Sequence, residues 1–185
     1  MKSEVRELLT EELKDAYSAE KQALRCMQRA LRKASAEALR HGIQTHIEQT
    51  QVQIERVEQA MEKMSVRPGR KACEAMRGLV EEAQHQIEEH DKKGPILDLV
   101  IVAGMQRIEH YEIAAYGTDV ALAEALGEKE VAGLLRETLE EEKQTDLKLT
   151  EVTQKAILPQ ALAGEEEEGG DERGGGRSGG RRKAA

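Results

Sequence analysis

The sequence is poor in the residues that build aromatic cores and β-rich domains. Its 185 residues include no Phe, no Trp, three Tyr and three Pro. Without large aromatic side chains, Leu, Ile, Val, Ala and Met must fill the interior. Strand-type alternation of polar and apolar residues is also missing. These absences favour an all-α fold of long amphipathic helices.

Cysteine is scarce as well. The only two cysteines, Cys26 and Cys73, lie far apart in the sequence and form no CxxC pair. Two cysteines are too few to stabilise a domain of this length through disulfide bonds. This indicates a reducing compartment, with thiol groups that mainly pack in the interior. We expect no catalytic cysteine.

Long apolar runs and an excess of positive charge are the remaining absences. The mean hydropathy is -0.66, and no apolar stretch approaches the length that a membrane helix needs. The residues after Met1 are charged, so we expect a cytoplasmic protein with no membrane contact. The formal net charge of -8 argues against a nucleic-acid-binding surface on the folded part.

Apolar residues recur at spacings of three and four, which predicts five helices. We place them at residues 4–33, 37–64, 71–90, 96–125 and 128–157. Gly94-Pro95 and Gly127 mark breaks between them. Short links make two antiparallel hairpins of long helices, and the connection that carries the short helix is a crossover. This arrangement is typical of a ferritin-like four-helix bundle.

The composition changes after Pro159. Four glutamates at residues 165–168 precede a tract of Gly and Arg that ends at Lys183. We predict a helical bundle over residues 1–158 and a disordered tail over residues 159–185. An Arg/Gly tail can contact nucleic acid, but a solubilising tail is the favoured interpretation.

Each long helix carries polar residues at mid-length, where its apolar stripe should continue. Hairpin pairing brings these interruptions to similar heights in the bundle. They are Glu20 in the first helix, His46, Gln49 and Gln53 in the second, Glu109 and Glu112 in the next long helix, and Glu142 and Asp146 in the last. A shift of 92 or 93 residues maps Glu20 onto Glu112 and Gln49 onto Glu142, which indicates a pseudo-twofold pair of hairpins.

Carboxylates in such a layer need protons or a cation, because burying an unpartnered charge is costly. No Lys or Arg occupies these inward positions. Oxygen ligands with one imidazole suit Fe or Mn better than structural Zn. For any single helix, a slightly rotated and solvated acid is the simpler interpretation. For His46, a buried histidine that is hydrogen-bonded by a neighbour and a metal ligand are equally good interpretations. For Tyr17 and Tyr116, packing is favoured over a role as hydrogen-bond donors to the ligands.

Five segments of the chain resemble the YciE/YciF family of ferritin-like bacterial stress proteins. They read EELKDAYSAEKQ from residue 11, HIEQT from 46, CEAM from 73, QRIEHYEIAAYG from 106 and LEEEK from 139. The resemblance covers residues 1–157 and implies a ferritin-like bundle, a homodimer and a di-iron centre. In this chain Gln49 stands where the family usually has Glu, a position that in ferritin-like sites tends to supply a bridging carboxylate.

Three hypotheses follow from the residues and the resemblance. The first is a di-metal carboxylate protein with iron or manganese that consumes peroxide or dioxygen, with Glu20, Glu112 and Glu142 as principal ligands. The second is a non-catalytic iron-binding bundle. The third is a metal-free structural or interaction protein whose polar layer is protonated or hydrated.

Overall fold

The structure, a computed structural model, describes residues 1–90 and 92–163. Within those residues every regular element is helical, which confirms the all-α prediction. The helices are α1 (Lys2–Lys33), α2 (Glu37–Lys63), α3 (Glu74–Glu88), α4 (Pro95–Leu126) and α5 (Lys129–Val152). None of these helices is long and apolar enough to cross a membrane.

The four long helices form the predicted ferritin-like bundle. Helices α1 and α2 make one hairpin and α4 and α5 the other, while α1 packs against α4 and α2 against α5. Residues along α2 pair with residues of falling number along α5, from His46 with Glu142 to Lys63 with Glu130, so these neighbours are antiparallel. The crossover helix α3 lies across α4 and α1.

Local chemistry explains where the hairpins turn. Gly127 ends α4 in the left-handed conformation, with φ of 81°, which a residue without a Cβ adopts most easily. Asp98, in the first turn of α4, accepts hydrogen bonds from the backbone N–H groups of Ser35 at 2.7 Å and Ala36 at 2.8 Å. The second hairpin therefore ties down the turn of the first.

Helix α3 is anchored through its first residues. The Cys73 Sγ atom accepts a hydrogen bond from the Met76 N–H at 3.3 Å, and it lies 3.0 Å from the Tyr111 hydroxyl on α4. The Tyr111 hydroxyl donates to Asp15 on α1. Burial raises the pKa of the Cys73 thiol, so this side chain stays protonated and serves as a structural cap.

Two apolar cores occupy opposite ends of the bundle. One is built around Leu39, Ile101 and Leu149 and includes the residues beneath α3. The other is built around Leu13 and Leu135 at the end that carries the α4–α5 turn. The buried polar side chains of the long helices lie between the two cores, as the mid-length interruptions of the apolar stripes predict.

The last helix extends beyond its predicted end at residue 157. After α5 the chain makes a π-helical turn over Thr153–Ile157 and continues as α-helix to residue 163. Pro159 cannot donate a backbone hydrogen bond, and its ring crowds the carbonyl group four residues earlier. The wider π turn, in which the Leu158 N–H bonds the Thr153 carbonyl, accommodates it. The Arg/Gly tract of the predicted tail lies outside the described residues.

Candidate metal centre

The polar layer contains five ionisable side chains, all at least 97% buried, contributed by all four long helices. Their relative exposures are 1% for Glu20, 2% for His46, 1% for Glu109, 3% for Glu112 and 0% for Glu142. The sequence places each on a helix, but only the packing of two hairpins brings them together. The interior position of these four acids and the histidine is therefore a property of the fold.

Three members of the layer form a compact group of potential metal ligands. The His46 Nε2 atom lies 3.1 Å from Glu109 Oε1 and 3.5 Å from Glu142 Oε2. One donor atom from each of these residues lies within 4.8 Å of the others. An imidazole nitrogen and two carboxylate oxygens at such separations can face a single cation. The group joins α2, α4 and α5.

Glu20 and Glu112 complete the layer on the α1 side. The Tyr116 hydroxyl on α4 donates a hydrogen bond to Glu20 Oε1, while Glu20 Oε2 has no partner among the described residues. Glu112 lies close enough to Glu20, Glu142 and Glu109 to be repelled by all three. The sequence favours a packing role for Tyr116. In the structure the side chain packs and its hydroxyl group also orients Glu20, a candidate ligand.

The layer has more oxygen atoms than hydrogen-bond donors. Buried atoms without a partner among the described residues are Glu20 Oε2, Glu109 Oε2, Glu112 Oε1, Gln53 Oε1 and both carboxylate oxygens of Glu142. Native proteins rarely leave buried polar atoms unsatisfied without an ion or a functional reason. These orphan oxygens fit a cation, because no hydrogen bond from the described residues satisfies them.

Burial and mutual repulsion oppose ionisation of these carboxyl groups. Burial, followed by the charge of Glu142, raises the pKa of Glu20 to about 8, despite the Tyr116 hydrogen bond. Burial likewise raises the pKa of Glu109 to about 8. Burial, with repulsion by neighbouring acids, raises the pKa values of Glu112 and Glu142 well above their usual range. Without a cation, the layer at neutral pH therefore holds protons.

Side chains around the layer fix the orientation of its members. The Thr145 hydroxyl lies 3.3 Å from His46 Nδ1, on the edge of the imidazole opposite the carboxylates. The Gln53 amide donates to Glu141 at 3.0 Å, which turns its orphan Oε1 inward. Glu141 is also held by both terminal nitrogens of Arg56, at 2.6 and 2.8 Å. Arg56 therefore neutralises an acid outside the layer.

Asp146 does not join the group of donors around His46, and Gln49 lies toward the surface. Gln49 is partly exposed and lines a cavity between α2 and α5. The Asp146 side chain is 19% exposed and accepts a hydrogen bond from Gln106 at 2.9 Å, with the exposed His110 3.5 Å away. Gln53 is fully buried. Of the eight predicted site residues, six are therefore interior and two lie toward the surface.

Several buried polar residues are not singled out by the sequence, among them Asp98, Asp119, Thr138 and Thr145. Asp119 is fully buried with both oxygens unpartnered among the described residues, and Thr138 is fully buried with an orphan hydroxyl. Asp119 lies seven residues after Glu112, on the same stripe of α4, so this spacing could have revealed it. Asp98 resembles an ordinary acid at a helix N-terminus, and nothing in the sequence distinguishes its buried role.

A comparison with known sequences and structures places this architecture in a family. The profile of the family described as a domain of unknown function, DUF892, matches residues 4–162. The chain belongs to the DUF892 family. Protein YciF of Escherichia coli strain K12 is 48% identical over 141 residues, which cover 76% of this chain and 84% of YciF. This match confirms the resemblance to the YciE/YciF family.

Solved structures of DUF892-like bundles agree with the fold. The crystal structure of the E. coli stress protein YciF has a TM-score of 0.76 at 44% identity and covers 80% of this chain and 94% of its own. YcfI from Rhodopseudomonas palustris also has a TM-score of 0.76, at 39% identity, covering 79% and 92%. This DUF892 chain is thus a homologue of a stress protein, with a possible metal site at His46, Glu109 and Glu142.

Proposed function

We propose that this protein binds two iron or manganese ions in its polar layer and uses them to consume peroxide or dioxygen under stress. One observation carries the proposal: four buried glutamates and a histidine meet between two apolar cores with orphan oxygens and no Lys or Arg among them. A reduced metal pair would supply two electrons for reducing the oxidant, and an external reductant such as ferrous iron would restore the pair for the next turnover. YciF is described as a stress protein, which agrees with a protective role.

The donor set suggests unequal positions for the two ions. His46, Glu109 and Glu142 would hold the first ion, because their donor atoms already converge. Glu20 and Glu112 would border the second, with Gln53 Oε1 as a neutral neighbour. Gln49 cannot provide the bridging carboxylate of the family pattern, since an amide offers one good ligand oxygen. We therefore propose that the second ion is held more weakly than the first.

The surrounding residues would prepare the ligands for binding. A proton on His46 Nδ1 can be donated to the Thr145 hydroxyl, which leaves the Nε2 lone pair directed at the carboxylates. The Tyr116 hydrogen bond keeps one Glu20 oxygen in place and leaves the other available. The apolar cores limit the access of water to the layer from both ends of the bundle.

Two further functions remain as alternatives. A non-catalytic iron-binding bundle would use the same ligands without turnover. A metal-free structural protein would keep the layer protonated, as the raised pKa values of Glu20 and Glu109 allow. The homodimer and the cytoplasmic location stay predictions in all three cases.

Metal analysis and oxidation kinetics distinguish these functions. Protein purified without chelator is analysed for metal, stripped, and titrated anaerobically with ferrous iron, after which hydrogen peroxide or dioxygen is added. Oxidation of many equivalents of ferrous iron per protein, with matching reduction of peroxide or dioxygen, supports the proposed function. Stoichiometric uptake without turnover supports simple binding. Failure of the stripped protein to bind either iron or manganese overturns the proposal.

Matched variants test whether the layer itself is the site. In the double variant Glu112→Gln and Glu142→Gln, the side chains keep their volume but lose their charge, and metal binding should disappear. Asp119→Asn is the control, because Asp119 is an equally buried acid on α4 outside the layer. It should bind metal like the wild type. Equal metal content in the double variant and the wild type would contradict the assignment.

A further inference from the structure

A cavity opens between α2 and α5 beside the polar layer. It has a volume of about 230 Å³. Its buried floor consists of Leu39, His46, Met105, Thr145 and Leu149, and its partly exposed walls include Gly42, Gln49 and Val152. The cavity is therefore mainly apolar at depth and open to solvent at its mouth. It touches the Thr145 side of His46, on the edge of the imidazole opposite the carboxylates.

The charge of the cavity is opposite to that of the protein. Among the described residues no Asp or Glu lines it, although the whole chain carries 36 acidic residues and 28 Lys and Arg. The exposed side chains of His41 and Lys148 stand at the mouth. Lys148 makes no ion pair with the described residues. An anionic group at the mouth would therefore meet a cation without competition from a carboxylate lining the cavity.

The lack of a side chain at Gly42 keeps the cavity open. A Cβ atom built on this residue would have no neighbouring heavy atom within 4 Å. Glycine in the middle of a helix lowers the stability of that helix. Gly42 therefore weakens α2, and its lack of a side chain leaves space in the cavity. A larger residue at this lining position would occupy part of the open space.

We propose that this cavity binds an aliphatic monocarboxylate with a chain of roughly eight carbons, judged from about 30 Å³ per small group. The hydrocarbon chain lies against Leu39, Met105 and Leu149, and the carboxylate lies at the mouth beside Lys148. The volume is near the lower limit of small-molecule sites, which excludes a long-chain lipid from full enclosure. The proposed ligand contacts need no metal, so the site can be tested in the stripped protein.

Isothermal titration with octanoate tests the site. The stripped wild-type protein should bind octanoate saturably with one site per chain. Gly42→Leu should weaken binding at least about tenfold, because the new side chain fills the cavity. Gly133→Leu is the matched control: Gly133 also lies in a long helix with open space around its Cβ, and it does not line the cavity. Its affinity should equal that of the wild type.

The charged group is tested separately. Lys148→Gln should weaken octanoate binding about two- to fivefold, as expected for an exposed ion pair. Lys143→Gln, a change of another exposed lysine on α5, should leave it unchanged. Octanol should bind more weakly than octanoate to the wild type, and equally well to the wild type and Lys148→Gln. Equal affinity of the wild type for octanol and octanoate would overturn the assignment of a carboxylate ligand.

Two results would overturn the cavity site altogether. One is the absence of saturable octanoate binding by a folded, stripped wild type at millimolar concentrations. The other is a wild-type dimer that Gly42→Leu converts to monomers while octanoate binds neither form, which would make this surface an interface between copies of the chain. Thermal unfolding of both leucine variants establishes that they are folded. Neither result bears on metal binding by the polar layer.

Discussion

The Tyr116 hydroxyl group donates a hydrogen bond to Glu20 Oε1, and both side chains are about 99% buried. The contact links α4 to α1 at the level of the candidate metal centre. It is the only hydrogen bond that Glu20 receives from the described residues. The orientation of this carboxylate thus depends on a single phenol group.

Replacing Tyr116 by Phe should weaken both the fold and the site. Loss of a hydrogen bond to a buried acid costs about 1–3 kcal/mol, and loss of a group that orients a ligand costs about 10- to 100-fold in metal affinity. Urea unfolding and metal titration measure the two effects. Tyr17→Phe is the control, because the Tyr17 hydroxyl bonds Glu58 at the surface. Wild-type metal affinity in Tyr116→Phe would contradict the role of this phenol.

Asp119 makes the stability of the protein depend on pH. Burial, followed by repulsion from Glu12 and Asp15, raises its pKa from 3.8 to about 8. Between these values the folded state holds a proton that the unfolded state has released, so stability falls as pH rises through this window. Below the window both states are protonated, and above it both are ionised.

Asp119→Asn should remove this contribution. The stability of the variant relative to the wild type should grow with pH by up to about 1.4 kcal/mol per unit between pH 5 and 8. Urea unfolding of metal-free protein at several pH values measures the difference, and the acids of the layer contribute equally to both proteins. Glu7→Gln, which changes an exposed acid on α1, should show no such trend. A pH-independent difference for Asp119→Asn would refute the prediction.

Asp98 should be a strong determinant of stability. Its two oxygens accept the backbone N–H groups of Ser35 and Ala36 in the α1–α2 turn. Asp98→Ala leaves both donors without this partner and should cost about 2–5 kcal/mol, measured by urea unfolding. Asp98→Asn keeps one carbonyl oxygen and should cost roughly half as much. Equal stabilities of the wild type and Asp98→Ala would show that the turn does not need this carboxylate.

Gly104 and Gly117 should respond oppositely to the same substitution. A Cβ atom on Gly104 would lie 2.9 Å from the Ala83 Cβ of α3, whereas one on Gly117 would meet nothing within 4 Å. Gly104→Ala should therefore destabilise the protein by about 1–3 kcal/mol, because the two helices must separate. Gly117→Ala should stabilise it by up to about 1 kcal/mol through helix propensity. Thermal unfolding measures both, and effects of the same sign would contradict the close packing of α3 on α4.

The periodicity of apolar residues was sufficient to predict the helices and the height of the polar layer in the bundle. The apolar stripes and the breaks at Gly94-Pro95 and Gly127 determine the hairpins, and the interruptions at Glu20 and Glu142 lie where the layer is found. The details depend on rotations of one helix against another, which a stripe defines only to within a residue or two. That is why Asp146 lies near the surface while Asp119 is buried.

Contacts between hairpins were beyond prediction from the sequence. The hydroxyl of Tyr116 reaches Glu20 across 96 positions in the chain, and Asp98 reaches the first turn across 62 and 63. Local sequence patterns carry no information on how residues of one hairpin align with residues of the other. The π turn before Pro159 is another case: a proline usually predicts a helix end, and the turn lets the helix continue.

The crossover helix α3 makes the two sides of the bundle unequal. It shields the seam between α1 and α4, while the seam between α2 and α5 stays open at the cavity. The pseudo-twofold relation that the sequence predicts for the two hairpins therefore does not extend to the elements that surround them. An ion near His46 would exchange through the open seam, and one near Glu20 would be sealed beneath a third helix, so loading and release would follow a fixed order.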